Sequence, residues 1–244
     1  MILTPEDYQR YTRQVLLPGF GMQAQQRLKA ARVLVIGAGG LGCPALQYLA
    51  SAGVGTIGIA DDDTVELSNL QRQPLYSTAA IGKPKATEAA NVLRALNPLI
   101  QINAYGEKLT AENAGVLSDS YDVLLDATDN IETRYLLDKW CRQLNKPWIS
   151  GSVYRYEGQV AVWNCNGGPS YSDCYPEATF SGSIPDCETA GVLGVVPGII
   201  GTLQAAECIK LLTGIGEPLS GRVLHINLLT MTTTTFSLPT SAKS

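Results

Sequence analysis

The run from Arg32 to Gly42, RVLVIGAGGLG, constrains the fold of this chain more than any other stretch. Residues 32–36 are mostly apolar and β-branched, which predicts a buried parallel strand that ends where a helix should begin. Gly37 permits a tight turn, Gly39 lets backbone N–H groups approach a phosphate, and Gly42 lets the helix lie close to the strand. The turn is therefore predicted to hold a nucleotide phosphate. A structural turn that binds nothing is the alternative.

A row of carboxylates follows the second predicted strand, residues 56–60. Asp61, Asp62 and Asp63 come directly after it, and Asp61 lies 19 residues beyond Gly42. At that spacing a carboxylate at the strand end can accept hydrogen bonds from ribose hydroxyls. The predicted ligand is therefore a ribonucleotide, with Asp61 and Asp63 in its site.

Strands alternate with helices through residue 150, and the pattern then changes. Parallel strands are predicted over 32–36, 56–60, 100–104, 121–125 and 147–150, with helices over 43–52, 83–96, 111–117 and 132–144. Residues 153–164 and 222–236 alternate like antiparallel strands, with a helix over 198–212 between them. This predicts an α/β fold, a Rossmann-like doubly wound, mostly parallel sheet with an antiparallel C-terminal extension.

Three segments are predicted within this fold. Residues 1–30 form an N-terminal helical arm with helices over 8–16 and 23–30, and residues 31–150 form the nucleotide-binding core. Residues 151–244 complete the same domain with antiparallel strands, a crossover loop and a helix.

Composition excludes several classes of function. The net charge is −4, with 18 basic and 22 acidic residues mixed along the chain, so no basic stripe for nucleic acid or membrane surfaces is expected. The start of the chain lacks the apolar core of a signal peptide, and the apolar stretch from Gly191 to Leu203 falls short of a membrane span. Six cysteines without a CxxC pair indicate free thiols. We therefore expect a cytoplasmic protein.

Three charged residues fall where the phosphates would lie, and a dehydrogenase would need none of them. They are Arg72, Lys85 and Asp129. Breaking the bond between the α- and β-phosphates of a triphosphate needs cations and a carboxylate-held Mg²⁺. Each residue alone has an ordinary explanation: a surface ion pair for Arg72, a solvated lysine for Lys85 and a helix N-cap for Asp129. Their joint placement favours nucleotidyl transfer.

Several motifs together resemble one family. They are GAGGLG, DDDTVELSNLQRQ, GKPK, ATDN and AGVLGVVPGIIGTLQAAECIKLL, and the likeness runs from Arg10 to about Leu238. The chain resembles the E1-like adenylyltransferases that activate the molybdopterin-synthase and thiamine sulfur carriers, the HesA/MoeB/ThiF type. The resemblance implies a homodimer that uses ATP and Mg²⁺ to adenylate the C-terminal glycine of a ubiquitin-like sulfur carrier ending in Gly-Gly. A separate sulfur donor enzyme would then act.

The resemblance also assigns roles to residues. Gly40 and Asp61 would contact the nucleotide, Asp129 would hold Mg²⁺, and Arg13 would reach into the partner subunit's site. The implied catalytic residues are Arg13, Arg72, Lys85, Asp129 and Cys187. The implied nucleotide-binding set is Gly37, Gly39, Gly40, Gly42, Asp61, Asp63, Ser68, Asn69, Arg72, Gln73, Lys85, Asp129 and Asn130.

The chain departs from the family at the place of a structural zinc. Bacterial members usually carry two CxxC pairs there, but this chain has only Cys174 in the matching stretch 169–174 and no cysteine after Cys208. One thiolate cannot build a tetrahedral zinc site, so no zinc is expected and the loop is predicted to be held by packing alone.

Cys187 matches a family cysteine that attacks the adenylate in some relatives and is dispensable in others. Its neighbours Asp186 and Glu188 would raise its pKa, which argues against a covalent role in the first step. A small structural residue before the glycine-rich turn is the alternative. The only histidine, His225, is predicted to be structural because it lies in an apolar strand.

Three other functions are alternatives to this one. A nicotinamide-dependent oxidoreductase would explain Gly37 to Asp61 but leave Arg72, Lys85 and Asp129 without a role. A related E1-like enzyme could adenylate a peptide in secondary metabolism. A non-catalytic, nucleotide-bound partner subunit is the third, and the intact set of basic residues argues against it.

Overall fold

A computed structural model describes residues 2–177 and 191–239 of the 244-residue chain. Its strands are β1 (Arg32–Ile36), β2 (Thr56–Ala60), β3 (Gln101–Tyr105), β4 (Val123–Asp126), β5 (Trp148–Tyr154), β6 (Glu157–Trp163), β7 (Arg222–Asn227) and β8 (Thr232–Ser237). They form an eight-stranded sheet in the order β3-β2-β1-β4-β5-β6-β7-β8. Strands β1 to β5 pair in parallel, and β5 to β8 pair antiparallel. The predicted fold class is confirmed.

Helices connect and cover these strands. They are α1 (Pro5–Val15), α2 (Gly21–Ala30), α3 (Gly42–Ala52), α4 (Lys85–Leu96), α5 (Ala114–Asp119), α6 (Ile131–Gln143), α7 (Tyr171–Cys174) and α8 (Val195–Thr213). Short 3₁₀ turns occupy Leu67–Asn69 and Thr78–Ala80. Strands β1 and β2 have the predicted bounds. Strand β5 runs four residues past the predicted end at Ser150, because its hairpin with β6 turns only at Arg155, where φ is +52°.

The order of the strands reverses beside β1. The chain first builds outward through β2 and β3, then returns to place β4 on the other side of β1. The crevice at such a reversal, outside the carboxyl ends of the strands, is where doubly wound sheets bind ligands. The glycine turn after β1 therefore lies at the predicted ligand-binding edge.

Helix α8 packs against α3 and against strands β5 and β6. Of the described helices it is the one that is long and apolar enough, by length and composition, to cross a bilayer, and it extends well beyond the predicted apolar stretch. Its polar residues have partners inside the protein: Gln204 Nε2 donates to the Asp126 carbonyl at 2.6 Å, and Glu207 accepts from the Leu219 N–H at 2.8 Å. These contacts are those of a helix in a protein core.

The N-terminal arm packs at the far end of α3. A capping box between Thr4 and Asp7 starts α1 one turn earlier than predicted, with Pro5 at its first position. Tyr11 packs against Gly53, the residue that ends α3, and its hydroxyl accepts a hydrogen bond from Asn97 at 2.8 Å. Gln14 donates to the carbonyl of Ala52. The arm thus covers the end of α3 opposite the glycine turn.

Candidate active site

The glycine turn is fixed by close backbone contacts. At Gly37, where φ is +92°, an added Cβ would lie 2.7 Å from the carbonyl oxygen of Ala127. At Gly42 it would lie only 2.0 Å from the carbonyl oxygen of Gly37. No side chain fits at either position, so the turn stays open to a ligand and α3 begins directly above it.

Asp61 holds the same turn from β2. Its Oδ2 accepts the Ala38 N–H at 2.7 Å, and its Oδ1 accepts the Asp63 N–H at 2.9 Å. Burial raises the pKa of this carboxyl group, while the two backbone donors and Lys85 oppose the rise. Each oxygen retains a lone pair, so Asp61 can accept from a ribose as well as brace the turn.

Lys85 is a buried cation at this edge. It is the first residue of α4 and is only 5% exposed, and its Nζ lies 2.9 Å from Asp63 Oδ2. Its backbone N–H donates to the Asp63 carbonyl, and the Tyr76 hydroxyl contacts the carbonyls of both Lys85 and Ala38. The ammonium group is thereby fixed beside the acidic run that follows β2.

The segment after the acidic run reaches the glycine turn from another side. Gln73 is 3% exposed, and its Nε2 lies 3.5 Å from where a Cβ on Gly39 would stand. Its Oε1 is buried and has no partner in the described part of the chain, so the amide has capacity left for a ligand. The backbone of Arg72 comes similarly close to Gly40, and its guanidinium donates to the Ser68 carbonyl at 3.1 Å.

Two of the predicted nucleotide ligands, Asn69 and Asn130, make local hydrogen bonds. The buried Asn69 caps its own 3₁₀ turn by accepting the Glu66 N–H, and it donates to Ser68 Oγ at 3.4 Å. Asn130 is the N-cap of α6, since its Oδ1 accepts the N–H groups of Glu132 and Thr133. The cap of α6 is therefore Asn130, and the ordinary explanation of Asp129 as that cap is wrong.

Strand β4 ends at Asp126, one residue past the predicted end at 125, and Asp129 lies three residues beyond the strand. The strand ends there because the Asp126 carboxylate accepts the Thr128 N–H and hydroxyl at 3.0 and 2.6 Å, which turns the chain out of the sheet. Asp129 lies in the loop that results, exposed, and lines a cleft together with Thr128 and Leu41.

This cleft has a volume of about 1410 Å³ and adjoins the glycine turn. Helix α6 forms one wall with Glu132, Lys139 and Arg142, and strands β5 to β7 form the other. His225 lies on that second wall, 3.4 Å from Glu157. Sequence reasoning did not place His225 at a candidate site, because the pairing that puts it beside residue 159 joins segments more than 60 residues apart.

Asp61, Asp62 and Asp63 are the group of three that the described residues offer to a metal ion, with carboxylate oxygens within 4.8 Å of one another. Asp129, the residue predicted for Mg²⁺, stands apart from them on the cleft wall. The structure thus presents carboxylates on two sides of the glycine turn.

The segment predicted to be held by packing alone is held by hydrogen bonds, so that prediction is wrong. The buried Asp138 accepts the N–H groups of Tyr171 and Ser172 at 2.9 and 3.1 Å, and the Ser172 hydroxyl at 2.7 Å. Ser170 and Asp173 form a capping box within the segment, and Arg142 lies 3.6 Å from Asp173. Tyr171 also packs edge-on against Trp163.

Arg13 lies away from the site of its own chain. It is exposed on α1, and within the described ranges its guanidinium has no hydrogen-bond or ion-pair partner. Helix α3 lies between the arm and the glycine turn, and its 11 residues span about 16 Å. Cys187 lies outside the described residues.

Residues 11–244 match the ThiF family. The chain belongs to the ThiF family. The resemblance inferred from the sequence motifs is thereby confirmed.

Named relatives in the family are nearly half identical to the chain. A Thermus thermophilus protein named sulfur carrier protein adenylyltransferase is 48% identical over 91% of this chain and 83% of its own length. Arabidopsis thaliana adenylyltransferase and sulfurtransferase MOCS3 is 48% identical over 93% of this chain, and probable adenylyltransferase/sulfurtransferase MoeZ of Mycobacterium tuberculosis is 45% identical over 97%. The chain spans only 49% and 61% of these last two proteins.

Solved structures share the fold. Escherichia coli MccB with ATP superposes with a TM-score of 0.84 over 96% of this chain and 72% of that one, at 22% identity. PaaA superposes with a TM-score of 0.83 over 98% of this chain and 76% of that one, also at 22% identity. At this identity the likeness establishes the architecture.

Proposed function

We propose that the ThiF-family chain adenylates the C-terminal glycine of a small ubiquitin-like sulfur carrier ending in Gly-Gly, with ATP as the donor and pyrophosphate as the leaving group. The product would be ready for thiocarboxylate formation with a separate sulfur donor enzyme. The names of the relatives from T. thermophilus and A. thaliana support adenylyl transfer, and the first supports a sulfur carrier as the acceptor.

The observation that carries the proposal is Lys85, a buried ammonium group beside the phosphate turn. A buried lysine needs a compensating partner, and here the mostly exposed Asp63 is that partner. Such a cation offsets charge that develops on phosphate oxygens. Hydride transfer would not require this cation, so the structure supports the oxidoreductase alternative less well.

The residues present fit Mg-ATP. The open glycine turn suits the phosphates of a nucleotide, and the Asp61 carboxylate and the unpartnered Oε1 of Gln73 are acceptors that suit its hydroxyl groups. Mg²⁺ takes one or two carboxylates along with phosphate oxygens and water, and Asp129 offers an exposed carboxylate beside the turn. When bound, the ion would neutralise phosphate charge. Arg72 and Lys85 would supply the remaining positive charge.

The cleft suits the C-terminal tail of the carrier. It opens beside the turn at Asp129 and leads outward between α6 and the antiparallel strands. A tail laid along it would bring its terminal carboxylate to the phosphate edge. Fixing the nucleophile in line with the phosphate is a large part of catalysis in such a displacement.

A homodimer is part of the proposal. Arg13 lies at the far end of α3 and cannot serve its own site, so the proposed role is in a partner subunit. Homodimers of Arg13→Ala and of Lys85→Ala should each be inactive, while mixing the two should restore one working site per dimer. No recovery after confirmed subunit exchange would contradict this role.

The described cysteines favour an external source of sulfur. Burial raises the pKa of all five, that of Cys43 to about 12, so they are thiols and not thiolate nucleophiles at neutral pH. We propose that the enzyme works in the cytoplasm, where such thiols stay reduced, and that it binds no zinc. For Cys187 we propose no part in adenylation, so Cys187→Ala should keep pyrophosphate exchange.

The proposal is tested by exchange of labelled pyrophosphate into ATP. Exchange should require both a β-grasp carrier ending in Gly-Gly and Mg²⁺, and the same carrier shortened by its last glycine should not support it. Exchange that is independent of the carrier, or absent with every carrier tried while the protein still binds ATP, would contradict the proposal.

A further inference from the structure

A buried ion pair lies beneath the loop that carries Asp129. Asp126 is 0% exposed at the end of β4, and its Oδ2 lies 3.0 Å from Arg134 Nε. Its Oδ1 accepts both donors of Thr128. Every polar atom of this carboxylate therefore has a partner, all of them donors.

The pair joins four elements of the fold. Arg134, on α6, also donates to the Gly151 carbonyl of β5 at 3.2 Å. The Asp126 backbone carbonyl accepts from Gln204 of α8 at 2.6 Å. Asp126 and Arg134 thus fix where β4, β5, α6 and α8 meet.

The pair also shapes the loop on both sides of Asp129. Thr128, held by Asp126, accepts the Asn130 N–H on its hydroxyl at 3.3 Å. Asn130 in turn caps α6, and Ala127 is pressed against Gly37 of the phosphate turn. Asp129 stands between two residues that are held by hydrogen bonds, so its backbone position depends on Asp126.

Stability alone is a weak reason for such a pair. Burying two charges carries a large desolvation penalty, and apolar replacements of the same volume are often as stable. A fixed position for a metal-binding carboxylate is a gain that an apolar pair could not give.

We propose that Asp126 and Arg134 are positioning residues, which aim Asp129 at the divalent cation of a bound nucleotide. This inference rests on the proposed function, because it takes the nucleotide to bind with Mg²⁺. It assigns no direct contact with substrate to either residue.

The test compares ATP binding with and without Mg²⁺ by calorimetry, on full-length variants shown to be folded by circular dichroism. In the wild type, Mg²⁺ should tighten ATP binding. In Asp126→Asn, the increase in ATP affinity that Mg²⁺ gives should be about tenfold smaller than in the wild type, because an amide cannot accept hydrogen bonds from Arg134 and Thr128 together. Its affinity for AMP without metal should stay within about twofold of the wild type, because Asp61 and the glycine turn are untouched.

A control and a milder variant complete the design. Glu207→Gln replaces another buried, ion-paired carboxylate, one on α8 whose partners are Lys210 and the Leu219 N–H, and should keep the wild-type Mg²⁺ gain. If Asp126→Asn does not fold, Thr128→Val removes only the hydroxyl between Asp126 and Asn130 and should show a smaller loss in the same direction. A folded Asp126→Asn or Thr128→Val with the full Mg²⁺ gain would overturn the inference. A wild type that binds no ATP would instead overturn the proposed function.

Discussion

The two halves of the sheet differ in how they are built. Strands β1, β2 and β4 are buried along nearly their whole length, and the loops at their carboxyl ends touch one another through backbone atoms. The antiparallel strands become more exposed outward, until every residue of β8 is exposed. The nucleotide edge is thus preformed, whereas the outermost strand of the antiparallel half leaves all its residues exposed. This contrast suits a fixed small ligand on one side and a protein partner on the other.

The largest effect is expected at the nucleotide edge. Gly42→Ala would force a methyl group to within 2.0 Å of a backbone carbonyl oxygen, so α3 would have to move off the turn. Nucleotide binding should be lost and the melting temperature should fall sharply. Gly198→Ala, with no atom within 4 Å of the new Cβ, is the matched control and should be neutral or slightly stabilising. Normal ATP affinity in Gly42→Ala would contradict a rigid turn.

A large effect on chemistry is expected at Lys85. Lys85→Ala should lower carrier-dependent pyrophosphate exchange by a factor on the order of a hundred, as loss of a preorganised charge typically does. Lys83→Ala removes an exposed lysine two residues away and should keep near wild-type exchange. Equal rates for the two variants would remove Lys85 from the mechanism.

The cleft wall formed by α6 should respond differently from the nucleotide edge, in stability rather than in nucleotide binding. Asp138→Asn leaves two donors of Ser172 facing an amide, and should cost roughly 3 kcal/mol of unfolding free energy. Asp119→Asn, an exposed carboxylate 3.8 Å from Lys146, should change stability by less than about 0.5 kcal/mol. Urea denaturation measures both. Loss of AMP binding in Asp138→Asn would show that the nucleotide edge depends on this wall, which would contradict the contrast between them.

The sequence predicted the nucleotide edge better than the wall. The bounds of β1 and β2 follow from signals within a few residues, so they could be read directly, and α4 begins at Lys85, two residues after its predicted start. The end of β4 lies within one residue of the prediction, but the bonds from Asp126 to Thr128 and Arg134 could not be read from the sequence, because no local pattern separates that use of a carboxylate from a strand-end ligand. Asp138 and Ser172 lie 34 residues apart, so the polar anchor of α7 could not be read from spacing.

The smallest effect concerns pH and belongs to the nucleotide edge. Burial raises the pKa of Asp61 above its ordinary value of 3.8, so its ionisation opposes folding. The stability that protonated Asp61 contributes to the folded protein is fully present below that value and is lost as the pH rises through the raised pKa. Compared with Asp61→Asn, the wild type should therefore lose melting temperature as the pH rises from about 4 toward neutrality. If the difference in melting temperature between the wild type and Asp61→Asn stays constant across this pH range, this prediction is wrong.

The most direct test of the central claim follows the label from ATP to the carrier. The chain is incubated with Mg²⁺, a carrier ending in Gly-Gly, and ATP labelled at either the α- or the γ-phosphate. Adenylation predicts that the α-label appears on the carrier and that the γ-label leaves in pyrophosphate. In Lys85→Ala, both the labelling of the carrier and the release of pyrophosphate should be much slower than in the wild type. Transfer of the γ-label to the carrier, or an unlabelled carrier under conditions where ATP is bound, would contradict the account.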